Sequence, residues 1–211
     1  MSAAEELAQI AAEVNVCTRC KLYQGTIKAV PGEGPAGAKI MFIGEAPGFN
    51  EDRQGRPFVG ASGQFLSELL ALAGLRRQDV FIANVVKHRP PNNRDPEAEE
   101  IAACAGYLER QIAVIDPRVI VTLGRFSMAN WFPGEKISRI HGQPRWVGGR
   151  LIVPMMHPAA ALHQVQNRPL IETDFRRLPE FLEQAEREAA KQQPAAPTKQ
   201  DAPDLEQLSM F

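Results

Sequence analysis

Short apolar runs, each stopped by glycine, proline or a polar residue and each followed by a helical stretch, constrain this chain more than any other feature. The first run, Lys39-Ile40-Met41-Phe42-Ile43-Gly44, is too short for a helix and bounded by breakers, so it reads as a buried strand. Ser62 is placed to N-cap a helix that puts Phe65, Leu66, Leu69, Leu70 and Ala73 on one face and stops at Gly74. The unit then recurs. Val80 to Val85 is a strand, and Asp95-Pro96 opens a helix to about Ile115. Arg118 to Leu123 is another strand, closed by Gly124 and followed by a shorter helix through Trp131. Leu151 to Met155 is the last, and a helix from about Pro169 to Lys191 turns Phe175, Leu178 and Phe181 or Leu182 inward. With a short helix over residues 3–14 in front, this alternation predicts an α/β fold: a three-layer α/β/α sandwich with a central, mainly parallel four-stranded sheet.

A chain of 211 residues, 44% of them apolar, can bury one proper core, which predicts a single catalytic domain over residues 1–190. Beyond Lys191 the composition shifts to Gln, Pro, Ala, Thr and Asp, so residues 191–211 read as a flexible tail. No stretch approaches the roughly 18 apolar residues that span a bilayer, and Met1 to Glu6 lacks the basic-then-apolar order of a signal peptide. A cytoplasmic protein is expected. A net charge of -1 announces no polyanionic partner globally, so any nucleic-acid surface must be a local patch. Three cysteines cannot all pair among themselves, and in a reducing compartment Cys17-Thr18-Arg19-Cys20 reads as metal-binding or redox-active.

In open parallel sheets, ligands bind at the carboxyl ends of the strands, and the unusual residues of this chain gather there. Gly44-Glu45-Ala46-Pro47-Gly48 and Glu51-Asp52 follow the first strand; Asn84 ends the second, leading into Lys87-His88-Arg89-Pro90-Pro91; Gly124 ends the third; His157-Pro158 follows the fourth. A Pro-containing turn bounded by glycines lets backbone approach a ligand, and Glu45 beside it can orient water or steady a positive charge. Taken singly, the same residues describe a surface turn, a strand cap at Asn84 and a structural histidine. Their co-location favours a site.

The ordered set Cys17-x-x-Cys20, GEAPG with Glu51-Asp52, Gly55-Arg56-Pro57-Phe58-Val59-Gly60, Asn84, Arg89-Pro90-Pro91-x-Asn93-Arg94 and His157-Pro158 resembles the family 4 uracil-DNA glycosylases, an iron–sulfur type. The resemblance covers about residues 14–184. It implies the uracil-DNA glycosylase fold and removal of uracil from DNA, with Phe58 stacking on the extruded base, Asn84 reading its edge and His157 contacting the pyrimidine O2. Ala46 would also meet the substrate, and Glu45, or failing that Asp52, would act on the sugar side. The chemistry is coherent: a base must leave the duplex to be reached, at a cost of a few kcal/mol that stacking and edge hydrogen bonds offset. An Asn amide accepts from uracil N3–H and donates to O4, whereas the reversed pattern of cytosine leaves both groups unpaired. No lysine is placed to form a Schiff base, so a monofunctional enzyme leaving an abasic site is expected; the runner-up outcome is covalent trapping of uracil-DNA.

The family pattern holds a [4Fe–4S] cluster on four cysteines, and here His88 stands at the third position. Either Cys17, Cys20, His88 and Cys104 ligate the cluster, imidazole being an iron ligand in Rieske-type centres, or the cluster is absent. Arg53, Arg56, Lys87, Arg89, Arg94, Arg139, His141 and Arg145 are candidates for phosphate contacts. Leu162, after His157-Pro158, resembles the residue that fills the gap left by the flipped base; its segment also reads as a helix start. The end of the chain, with Gln207, Leu208, Met210 and Phe211, resembles the peptide that docks bacterial proteins on the DNA sliding clamp. A monomer is expected. Two other classes compete: a non-catalytic nucleic-acid-binding module, which would not need a complete base pocket, and a nucleotide-processing enzyme, for which a P-loop lysine is missing.

Overall fold

The computed structural model of the protein describes residues 1–192. Its centre is a sheet of β1 (Ile40–Gly44), β2 (Phe81–Asn84), β3 (Val119–Leu123), β4 (Arg145–Val147) and β5 (Arg150–Met155), in the order β2-β1-β3-β5-β4. The four strands read from sequence are all present and pair in parallel. Register aligns their carboxyl ends: Gly44 lies beside Asn84, and Leu123 beside Met155, two residues before His157.

Each parallel strand is buried on both faces, so neighbouring residues feed opposite cores. Phe42 turns toward α3 (Ala61–Leu72), α8 (Arg168–Arg176) and α9 (Leu178–Gln192), packing with Leu66, Leu69, Phe175 and Phe181. The Phe42 and Phe175 rings stack 6.0 Å apart. Met41 and Ile43 turn the other way, with Ile120, against Cys104 and Leu108 of α4 (Ala98–Ile115) and against Phe132. A smaller cluster seats Ile10 and Val14 of α1 (Ala3–Asn15) on Tyr107.

Four details depart from the sequence expectations. The sheet has a fifth strand, β4, antiparallel at the edge; all three of its residues are exposed, so it carries no hydrophobic signal. Its cue is Gly148-Gly149, whose φ values of 57° and 79° make the two-residue hairpin turn that only glycine adopts easily. The helix expected over 169–191 is two helices, because Pro179 has no N–H for the Phe175 carbonyl one turn back. Helix α3 is capped at Gly60, not Ser62, whose side chain instead borders the cleft described below. Helix α4 begins at Ala98 rather than at Asp95-Pro96, and its first turn is held by Glu100, which accepts from the Glu97 N–H at 2.8 Å. Asp95 is thereby left in the loop ahead of the helix. The clamp-like residues Gln207 to Phe211 lie outside the described residues.

Candidate active site

A cleft of about 540 Å³ opens at the carboxyl ends of β1, β2 and β5. Glu45, Ala46, Phe58, Asn84 and His157 all line it. They come from four separate stretches of chain, which the register brings together.

The loop after β1 leads into α2 (Phe49–Gln54), and Glu51 of that helix locks two loops to each other. Its buried carboxylate accepts from the N–H groups of Gly48 at 3.1 Å, Val59 at 2.8 Å and Gly60 at 2.8 Å. A carboxylate so surrounded by donors is a rivet, and it fixes the approach of Phe58. Phe58 itself has φ of 51°, a left-handed conformation that costs a bulky residue on the order of 1–3 kcal/mol. Arg77 holds that turn by donating to the Phe58 carbonyl at 3.0 Å and to the Pro57 carbonyl. Gly63 leaves the space it needs, since a Cβ there would stand 2.0 Å from the Phe58 carbonyl oxygen. The Phe58 ring stacks on His157, centroids 5.5 Å apart and planes 27° from parallel.

Asn84 is 1% exposed and its Oδ1 has no hydrogen-bond partner. An unpaired buried carbonyl of this kind costs about 1–3 kcal/mol, so its presence at a cleft wall marks a donor-binding point. Gly44 makes room for it: a Cβ there would lie 2.4 Å from Asn84 Oδ1 and 2.7 Å from the Phe58 ring. Behind the strand end, the fully buried Lys87 donates from Nζ to the Asn84 carbonyl at 2.9 Å and to Gln111 Oε1 at 2.8 Å. Burial pulls its pKa down to about 8.

The His157 Nδ1 accepts from the Ala159 N–H at 3.1 Å, and desolvation takes the ring pKa down to about 4. The imidazole is therefore neutral near pH 7, with its proton on Nε2, and can donate without carrying charge. Glu45 is shifted the other way. Burial, and then the nearby Asp95 charge, raise its pKa, with Arg125 opposing them. Asp95 is ion-paired to Arg125.

The structure corrects several expectations. Asp52 does not reach the cleft: it is 2% exposed, and its Oδ1 accepts from the Ile27 N–H at 2.9 Å, on the side of the helix facing His88. Helical geometry explains this, since neighbours in sequence point about 100° apart and Glu51 takes the loop side. Leu162 lies on the short α7 (Ala159–His163), 50% exposed beside the cleft-lining Ala159 and His163 rather than in the cleft. Lys87 is too buried to meet a phosphate. Arg56 is paired with Glu33, Arg94 with Glu100, Arg145 with Glu135 and His141 with Asp174. Sequence reasoning missed Ser62, Asn93, Asp95 and His163 as lining residues, because the only local signal at each is polarity, whether it sits in a helix, as Ser62 and His163 do, or in the segment between β2 and α4.

A second groove, on the other side of the loop after β2, is bordered by Cys17, Tyr23, Ala29, Gln54 and His88. The Cys104 thiol accepts from the Lys87 backbone N–H and feels both Cys20 and Cys17. Burial raises the Cys20 and Cys104 thiols. Among the described residues no three His, Cys, Asp or Glu side chains converge on a single ion. A four-iron cube is bound at its corners, so its ligands are neighbours that need not share a focus. The three thiols feel one another and His88 borders the same groove as Cys17, and thiolate and imidazole are both donor types that iron accepts.

The chain belongs to the uracil DNA glycosylase superfamily, whose family model matches residues 31–183, the span that carries the sheet and the cleft at its strand ends. Within it the chain belongs with the type-4 enzymes. It is 50% identical over 187 residues to the type-4 uracil-DNA glycosylase of Sulfurisphaera tokodaii, covering 84% of this chain and 85% of that one. It is 50% identical over 188 residues to that of Saccharolobus solfataricus, covering 84% and 87%, and 46% identical over 186 residues to that of Archaeoglobus fulgidus, covering 84% and 94%.

Proposed function

We propose that this protein is a monofunctional uracil-DNA glycosylase that hydrolyses the N-glycosidic bond of uracil in DNA and leaves an abasic site. The observation that carries the reading is the partnerless buried Oδ1 of Asn84, on a wall shared with the Phe58 ring and the neutral His157.

Uracil extruded from the stack places its face against Phe58 and its N3–H on Asn84 Oδ1, with the Asn84 NH₂ donating to O4. Ala46, in the turn after β1, borders the base. As the bond from C1′ to N1 breaks, its electron pair leaves on the uracil ring, and the His157 Nε2–H donates to O2 where charge accumulates. A preorganised donor of this sort is worth about 10²–10³ in kcat. Glu45 faces the sugar, where its carboxylate steadies the developing cation and takes a proton from the water that adds at C1′. Leu162 on the rim fills the gap in the stack.

The proposed [4Fe–4S] cluster is held by Cys17, Cys20, Cys104 and His88 and ties the N-terminal segment to the loop after β2. When bound it supplies cohesion, since hydrolysis needs no electron transfer. The protein acts as a monomer in the cytoplasm, where reduced thiols remain available as cluster ligands. Residues 191–211 tether Gln207, Leu208, Met210 and Phe211 to the sliding clamp; deleting residues 207–211 abolishes clamp binding while oligonucleotide turnover persists, and unchanged clamp binding refutes the tether.

The test is incubation with a uracil-containing oligonucleotide. Free uracil and an alkali-labile site without strand scission are expected; scission without alkali, or a protein–DNA adduct on a denaturing gel, contradicts the proposal.

A further inference from the structure

Phe49 is the first residue of α2, directly after the cleft-lining Gly48, and it is 49% exposed. Two guanidiniums flank its ring: that of Arg53, one turn along the helix, with its central carbon 5.5 Å from the ring centre, and that of Arg89, from the loop after β2, at 5.2 Å. Arg89 is steadied by Asn93, another cleft residue, whose Oδ1 accepts from its Nε at 2.7 Å.

Neither arginine has an ion-pair partner among the described residues, whereas around the same cleft Arg56, Arg77, Arg94 and Arg125 are all paired. The nearest acids in sequence, Glu51 and Asp52, are buried and turned to backbone donors. Two like charges flanking one exposed ring repel each other weakly in water, and an anion between them is attracted to both. An aromatic plane with a phosphate between two guanidiniums matches one unpaired nucleotide.

We propose that Phe49, Arg53 and Arg89 form a rim subsite for an unpaired nucleotide flanking the uracil on the same strand. Its phosphate draws the guanidiniums off the ring, and its base stacks on Phe49. A base still paired in a duplex cannot reach that ring, so the subsite favours single-stranded DNA. This rests on the reading of the cleft as a uracil site.

The experiment measures binding of the full chain to uracil-containing single-stranded and duplex oligonucleotides by fluorescence anisotropy, across a salt series. Phe49→Ala is expected to weaken single-strand binding about tenfold, more than duplex binding, with Phe49→Trp restoring it. Arg53→Gln with Arg89→Gln is expected to flatten the slope of log K against log salt by about 0.7 for each phosphate no longer neutralised. Equal weakening on both substrates, unchanged binding, or failure of tryptophan to restore binding overturns the subsite. The underlying reading fails separately, if the wild-type protein releases no uracil from either oligonucleotide.

Discussion

His157 and Glu45 have been moved in opposite directions by one cleft, and that separation sets the pH behaviour expected of the protein. Burial holds His157 neutral down to about pH 4, so its Nε2–H is available throughout the neutral range. Because the folded pKa lies below the ordinary value of about 6.5, the unfolded chain binds the extra proton between those two values. Stability therefore rises with pH through that window, and this contribution is lost as pH falls below about 6.5. Glu45 is raised by burial and by Asp95, so it gains its proton above the usual carboxylate range. The acidic limb of kcat/KM should then follow Glu45. Asp95→Asn removes a neighbouring negative charge and should shift that limb to lower pH; a limb that stays put in a pH–rate profile would assign it elsewhere. Of the four pocket residues, Glu45, Asn84 and His157 were legible because each follows or ends an apolar run, whereas Phe58 lies between a glycine-proline turn and a helix and stood out only through the family resemblance. The choice between Glu51 and Asp52 was not legible, since it depends on which side of a short helix meets the backbone donors of a distant loop.

At the scale of elements, the parallel strands were readable as continuous apolar runs because both their faces are covered. The edge strand β4 was hidden because none of its residues is buried. The turn carrying Phe58 is the least favourable piece of local structure in the site, and the arginine from the short helical turn at Arg77–Asp79 holds it. Burial lowers the Arg77 pKa, with the Glu33 charge opposing, a cost borne for a two-carbonyl grip that a lysine ammonium lacks the fork to reproduce. Arg77→Lys should therefore raise KM for uracil-DNA about tenfold with a small change in melting temperature, as measured by steady-state kinetics beside thermal unfolding. A variant with wild-type KM would show that the turn holds itself.

For the whole molecule, the net charge is -1 and many arginines are paired with acids, whereas Arg53 and Arg89, on either side of the Phe49 ring next to the cleft-lining Gly48, have no ion pair among the described residues. The spacing of Cys17, Cys20 and Cys104 was legible, while their common neighbourhood required the packing of α1 and the loop after β2 on α4. Anaerobically purified protein should be brown, with iron near four per chain. His88→Ala should lower that content and the melting temperature together. Iron-free protein with full activity and unchanged melting would remove the cluster from the account.

The claim on which the rest depends is that one cleft recognises uracil through Asn84 and stabilises its departure through His157. Initial rates of free uracil release from a single-stranded oligonucleotide, for wild type, Asn84→Ala and His157→Ala, test it most directly. The account predicts a turning-over wild type and losses of about 10²–10³ in kcat/KM for each variant, with folding intact by circular dichroism. Variants that release uracil within a few-fold of wild type would contradict it.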